Sequence, residues 1–131
     1  FMTNLRAAKV QKVADHLPPL EVYGADDGET LVVGWGSTFG AIRAAVNELR
    51  RQGTRVAHAH LRHINPFPND LGDVLARFKR VIVPEMNSGQ LCLLLRAKYL
   101  VDAKSFSKVM GKPFMVRELV DGIKAATEET T

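Results

Sequence analysis

The chain has a single cysteine, Cys92, among 131 residues. One thiol cannot form an internal disulfide, nor supply the cysteine set of an iron–sulfur cluster. Cys92 sits in the run Leu91-Cys92-Leu93-Leu94-Leu95. Apolar surroundings raise a thiol's pKa, so the sequence gives no reactive nucleophile there. Aromatic residues make up only 7% of the chain. They do not interleave with a basic stripe, and the basic doublets Arg50-Arg51 and Lys79-Arg80 stand apart. The net charge of +4 therefore does not describe a nucleic-acid surface, which needs a patch with stacking aromatics. No apolar run is long enough for a membrane span, and none resembles a signal peptide, so no membrane partner is expected and the expected compartment is the cytoplasm.

What is present is ordinary globular chemistry: 46% hydrophobic and 24% charged residues, enough for one domain with a real core over residues 1–131. Its opening residues Phe1-Met2 lead us to expect a piece of a longer polypeptide. Val10, Val13, Ala14 and Leu17 share one helical face, so residues 1–16 read as an opening helix, stopped by Pro18-Pro19. Glu21 to Tyr23 reads as a short strand. Leu31 to Val33 is apolar without alternation, as in a parallel strand covered on both sides. A helix follows with Phe39, Ile42, Val46 and Leu49 inward, ended by Gly53. Arg55 to Leu61 is a strand. Asn69 or Asp70 caps a helix with Leu71, Val74, Leu75 and Phe78 inward. Val81 to Val83 is a strand, and Ser88 caps a helix from Leu91 to Tyr99. Val101 to Phe106 is the last strand. Val116, Leu119, Val120 and Ile123 mark a final helix, with residues 127–131 a polar tail. Alternation of strands and helices implies an α/β fold, a largely parallel sheet covered on both faces.

The most informative stretch is Leu31-Val32-Val33-Gly34-Trp35-Gly36-Ser37-Thr38-Phe39-Gly40, a strand running through a glycine-rich turn into a helix. Ser37 or Thr38 can cap that helix. Its free N–H groups and partial positive charge suit a small anion. The spacing is not a dinucleotide fingerprint: the third glycine falls at Gly40, one residue late. The next strand ends without an acid and is followed by Arg62. No Gly-Lys-Ser/Thr follows, so the P-loop pattern fails as well. The turn therefore reads either as structural or as an anion site built on Gly34, Gly36, Ser37, Thr38 and Gly40.

Two further loops leave strand ends, His63 to Pro68 and Pro84 to Gln90. Ligands of open α/β sheets gather at that edge. Arg62, Asn65, Pro66, Glu85, Asn87, Gly89 and Gln90 are its candidate residues. Asn87 and Ser88 equally suit helix caps, and Glu85 a capping or solvated carboxylate. His58 and His60 share a strand face with His63 beyond, but two histidines under a helix fit a hydrogen-bonded core better than zinc, so no metal is expected. The run Leu91 to Leu95 is apolar all round, which calls for burial on more than one side. Leu91, Leu93 and Leu94 are its candidate interface residues, with Leu93 expected outward and Leu91 and Leu95 toward the sheet.

Four ordered blocks carry a family resemblance. They are Leu31 to Ala41, Leu61-Arg62-His63-Ile64-Asn65-Pro66-Phe67-Pro68, Val83-Pro84-Glu85-Met86-Asn87-Ser88-Gly89-Gln90-Leu91, and Lys108-Val109-Met110-Gly111-Lys112-Pro113-Phe114. Together they resemble the C-terminal domain of the α subunit of 2-oxoacid:ferredoxin oxidoreductases, the 2-oxoglutarate branch above all. The resemblance implies a transketolase C-terminal-like fold: a three-layer α/β/α sandwich on a five-stranded, mostly parallel sheet of order 1-3-2-4-5 with strand 1 antiparallel. It implies a parent enzyme that oxidatively decarboxylates a 2-oxoacid to acyl-CoA on thiamine diphosphate and magnesium, passing electrons through an iron–sulfur cluster to ferredoxin. None of these cofactors is expected in this chain, which lacks a Gly-Asp-Gly motif with its downstream Asn. The expected partners are the other domains of the α subunit and the β subunit, with ferredoxin and coenzyme A acting on the whole enzyme, and self-association of the isolated domain. The rival readings are a free-standing anion- or nucleotide-binding module and the last domain of another thiamine-diphosphate enzyme, such as a 2-oxoacid dehydrogenase β subunit.

Overall fold

A computed structural model describes residues 20–24, 28–62, 68–85, 90–107 and 114–128, without the side chains of Ser37, Gln90, Ser107 and Glu128. The opening helix, Asn65, Pro66, Asn87, Ser88, Gly89 and most of the fourth block lie outside these residues. Five strands form one sheet: β1 (Val22–Tyr23), β2 (Gly28–Trp35), β3 (Val56–Leu61), β4 (Phe78–Glu85) and β5 (Ala103–Ser107). The order is β1-β3-β2-β4-β5. β1 runs antiparallel to β3, and every other pairing is parallel. This is the sheet that the family resemblance implies.

Each central strand feeds both faces, because successive side chains point to opposite sides. Leu31 and Val33 of β2, with Val81 and Val83 of β4, enter one core; Val32 and Ile82 enter the other. The first core is closed by α2 (Leu71–Ala76) and α3 (Gln90–Tyr99), the second by α1 (Phe39–Arg51) and α4 (Val116–Glu128). A single-turn 3₁₀ helix, Gly36–Thr38, joins β2 to α1. Burial of Ile42, Ala45, Val46 and Leu49 gives α1 its one apolar stripe. Gly53, at φ 89°, ends it, and Thr54 N–H returns to the Leu49 carbonyl at 2.9 Å.

Several boundaries differ from the sequence reading. Phe78 is not the last inward residue of α2; it opens β4, opposite Gly28. A buried aromatic satisfies either pattern, and the strand wins because Gly28 N–H bonds the Arg77 carbonyl just before it, at 3.2 Å. Phe39 and Val116 are exposed rather than inward; each is the first residue of its helix, ahead of the stripe that packs on the sheet. α4 runs through Thr127 and Glu128, the first two residues of the polar tail. Asp70 stands at the start of α2 but does not cap it. Its carboxylate accepts the Leu20 N–H at 2.9 Å instead, tying the entry of β1 to α2.

Candidate functional site: the carboxyl edge of the sheet

β2, β3 and β4 all end on one edge, and the candidate residues collect there. At the end of β4, Glu85 is only 4% exposed. It is not solvated. Its Oε1 accepts the Leu91 N–H at 2.6 Å and its Oε2 the Cys92 N–H at 3.2 Å. The carboxylate thus satisfies two of the orphan N–H groups that open α3, where the helix dipole also favours negative charge. Cys92 lies beneath it, with its Sγ–H on the Ala103 carbonyl at 3.3 Å. Burial pushes this thiol's pKa up, and the neighbouring Glu85 carboxylate pushes the same way. It is not poised as a nucleophile.

At the end of β2 the turn is closed by its own groups. Thr38 occupies the position before α1 without capping it; its hydroxyl donates to the Trp35 carbonyl at 2.8 Å. Gly36 has φ 67°, which a glycine adopts freely, and its carbonyl faces His60 Nε2 at 3.1 Å. A carbonyl can only accept, so Nε2 of His60 carries the proton. A side chain at Gly34 would collide with Ile42 Cδ1 and stand 3.1 Å from His60 Nδ1. Gly34 is therefore glycine because α1 and His60 press on it. Gly40 is different: a Cβ there would meet nothing within 4 Å.

His58 and His60 do share a face, with ring centroids 5.4 Å apart at 81°. His58 is fully buried. Its Nδ1 accepts from Arg43 Nε at 3.2 Å, which leaves the proton on Nε2. Burial lowers its pKa to about 3, with the Arg43 charge and then His60 acting in the same direction. Burial lowers that of His60 too, against the raising effect of the Gly36 carbonyl. Both rings are neutral at neutral pH. His58 Nε2 and His60 Nδ1 are left without partners, one a donor and the other an acceptor. Among the described residues no three His, Cys, Asp or Glu side chains converge as metal ligands.

Three residues that sequence reasoning missed complete this cluster. The Arg43 guanidinium lies 3.8 Å from the Tyr23 ring centroid and 4.8 Å from that of Phe39. Phe39 also packs against both histidines. The Phe39–Arg43 spacing of four places the two on one helix face. Tyr23 arrives through the β1–β3 pairing, opposite His58, which no local pattern announces.

Of the other candidates, Arg62 is exposed just past β3, and Gln90 is the first residue of α3. Leu91 is buried in the core and is not an interface residue, because the Glu85 cap turns it onto the sheet. Leu93 and Leu94 face outward at 67% and 48% exposure, while Leu95 is fully buried. None of the described helices is long and apolar enough to cross a membrane.

The family model of the pyruvate:ferredoxin oxidoreductase core domain II matches residues 28–119. The chain belongs to this family. As a core domain II it is 50% identical over 127 residues to the 2-oxoglutarate oxidoreductase subunit KorA of Mycobacterium tuberculosis, covering 96% of this chain and 19% of that protein. It is 35% identical over 127 residues to the α subunit of 2-oxoacid:ferredoxin oxidoreductase 1 of Aeropyrum pernix, covering 90% of this chain and 20% of that one. This core domain II also superposes on the 2-oxoglutarate:ferredoxin oxidoreductase of Magnetococcus marinus, solved with 2-oxoglutarate, coenzyme A and succinyl-CoA bound. The TM-score is 0.83 and the identity 30%, over 90% of this chain and 21% of that one. A split-gene transketolase shares the fold at a TM-score of 0.61 and 13% identity, over 82% of this chain and 41% of that one. This core domain II spans about a fifth of the length of the curated relatives it matches.

Proposed function

We infer that this chain is the core domain II of the α subunit of a 2-oxoacid:ferredoxin oxidoreductase whose substrate is 2-oxoglutarate. The observation that carries the reading is the 50% identity to a 2-oxoglutarate oxidoreductase subunit along 96% of the chain. In the parent enzyme 2-oxoglutarate, coenzyme A and two oxidised ferredoxins give succinyl-CoA, carbon dioxide, two reduced ferredoxins and the proton of the coenzyme A thiol. Thiamine diphosphate with magnesium, and the iron–sulfur cluster, supply that chemistry from other parts of the assembly. The residues of this chain do not fit those groups. Its one thiol is buried and hydrogen-bonded to a backbone carbonyl, and its carboxylate nearest the edge is spent on a helix end. No reaction step is therefore assigned to this chain's side chains.

Its role is positional. The closed β2 turn and the capped α3 hold one edge of the sheet rigid, and the outward Leu93 and Leu94 offer apolar area to another domain of the α subunit or to the β subunit. Burial of a leucine side chain contributes about 1.5–3 kcal/mol, so covering both is a substantial docking term. Arg62 and Gln90 stand at this edge and share the docking role; Asn65, Pro66, Asn87 and Gly89 are assigned to it from the sequence alone.

The test is production of the whole subunit with its β partner, followed by CoA-dependent reduction of ferredoxin with 2-oxoglutarate, pyruvate and 2-oxoisovalerate in turn. The reading predicts turnover with 2-oxoglutarate at least tenfold above the other two. Preference for either of the others contradicts the substrate, and no reduction with any of the three contradicts the parent activity.

A further inference from the structure

Arg43 is held on three sides. Its Nε donates to His58 Nδ1, and its planar guanidinium lies against both the Tyr23 and the Phe39 rings. Tyr23 is fixed in turn by its hydroxyl, which donates to Asn47 Oδ1 on the next turn of α1. The ion pairs among the described residues join other cations to Glu48, Glu29, Asp102 and Asp121; Arg43 takes part in none of them. A guanidinium oriented in this way has its terminal N–H fork already aimed, and that fork matches a carboxylate bidentately. Fixing the arginine in advance removes the ordering cost that a free side chain would incur on binding.

The surroundings favour a protein partner over a small anion. Tyr23 and Phe39 are 38% and 43% exposed, an apolar frame around a charge. Arginine with aromatic neighbours is the usual composition of a contact hot spot. Two cavities among the described residues open elsewhere: one lies along β4, β5 and α4, and another around Gly24, Gly28 and Arg55 at the opposite edge. The helix side chain also leans toward the amino end of α1, which puts the guanidinium over Phe39, at the edge where the candidate residues collect.

We propose that Arg43, framed by Tyr23 and Phe39, receives an aspartate or glutamate side chain from another domain of the same α subunit. This rests on the α-subunit reading, in which about four-fifths of the subunit lies outside this chain. It names a second docking point besides Leu93 and Leu94, on the opposite face of the sheet.

The test places a photo-crosslinker at the frame. Phe39→p-benzoylphenylalanine, and separately Tyr23→p-benzoylphenylalanine, are made in the intact α–β enzyme, and the adducts are sequenced by mass spectrometry. The expected adduct is an α-subunit peptide from outside residues 1–131 carrying an acidic residue beside the linkage; a β-subunit peptide overturns the proposal. Adding Arg43→Glu should lower its yield at least tenfold, and Arg43→Lys, which keeps the charge, only two- to threefold. Hydrogen exchange of the β3 amides confirms that these variants keep the sheet. Adducts confined to residues 1–131, a linked peptide without an acid, or a yield indifferent to Arg43→Glu overturns the proposal. Loss of the adduct to millimolar inorganic phosphate in the native background points to a small anion and also overturns it. Ferredoxin reduction by the unmodified enzyme is measured first. Its absence defeats the α-subunit reading, whereas an active enzyme with only internal adducts defeats the docking point alone.

Discussion

Two junctions of the same kind, a strand passing through a turn into a helix, are built in opposite ways. At β4–α3 the strand supplies a buried carboxylate, and Glu85 occupies the helix end where an external anion would sit. At β2–α1 Thr38 does not cap the helix; the turn is closed by Thr38 on Trp35 and by His60 on Gly36. In the glycine-rich junction the Thr38 hydroxyl and His60 Nε2 bond carbonyls of the turn itself and leave the end of α1 without a cap from Thr38. The plainer junction contains the charged group that acts on its helix. A glycine pattern reports backbone freedom, whereas the use of a helix end depends on what is folded against it.

The largest break in this comparison is at Glu85. Glu85→Ala should cost about 2–4 kcal/mol, since it strands two buried N–H groups. Thr38→Ala at the other junction should cost about 0.5–1 kcal/mol, because it removes one exposed hydrogen bond. Urea unfolding of both variants measures the gap, and equal losses would erase the distinction between the junctions.

Next come the glycines of the β2 turn. Gly34→Ala should cost about 1–3 kcal/mol, because the new methyl overpacks Ile42 and His60. Gly40→Ala meets nothing and should stabilise α1 by up to about 1 kcal/mol. If both substitutions are neutral, α1 does not press on the turn.

The histidines give the β2–α1 side its own pH dependence. The folded pKa of His58, about 3, lies below its ordinary value of 6.5, so the folded state resists a proton that the unfolded state accepts. Their contribution is neutral above pH 6.5. Stability then falls as pH drops from about 6.5 toward 3, with a limiting slope of about 1.4 kcal/mol per pH unit for one such group. His58→Gln keeps an acceptor for Arg43 and should flatten the fall. Thermal unfolding between pH 7 and 4 reads it, and an unchanged slope would show that His58 does not carry it.

The smallest effect is at the far end of α3. Leu100 has φ 55° and is 89% exposed. Leu100→Gly should relieve that backbone strain and raise stability by up to about 1 kcal/mol, read as a higher urea midpoint.

Much of the fold was legible because burial repeats with period. Leu31 to Val33 and Val81 to Val83 are apolar without alternation, and Ile42, Val46 and Leu49 recur at helical spacing. Helix ends were less so: Phe39, Phe78 and Val116 are apolar at boundaries, where a pattern cannot tell the last turn from the first strand residue. The family blocks supplied the sheet order, which no local periodicity encodes. Glu85 was legible as a capping carboxylate, but its burial was not, because that depends on α3 folding back over β4. Arg43 stayed hidden because Tyr23 reaches it through β1 pairing with β3, long-range in sequence.

Glu85 anchors α3 from within, and the exposed Leu93 and Leu94 on its other side are the proposed docking surface. Leu93→Lys and Leu95→Lys in the intact α–β enzyme test it most directly, read together by analytical ultracentrifugation and thermal unfolding. Leu93→Lys should leave the domain folded, with a native-like melting temperature, but weaken subunit assembly at least tenfold. Leu95→Lys, at a fully buried position, should unfold the domain. If Leu93→Lys assembles as tightly as the native enzyme, or unfolds the domain as Leu95→Lys does, the outward face of α3 is not a docking surface.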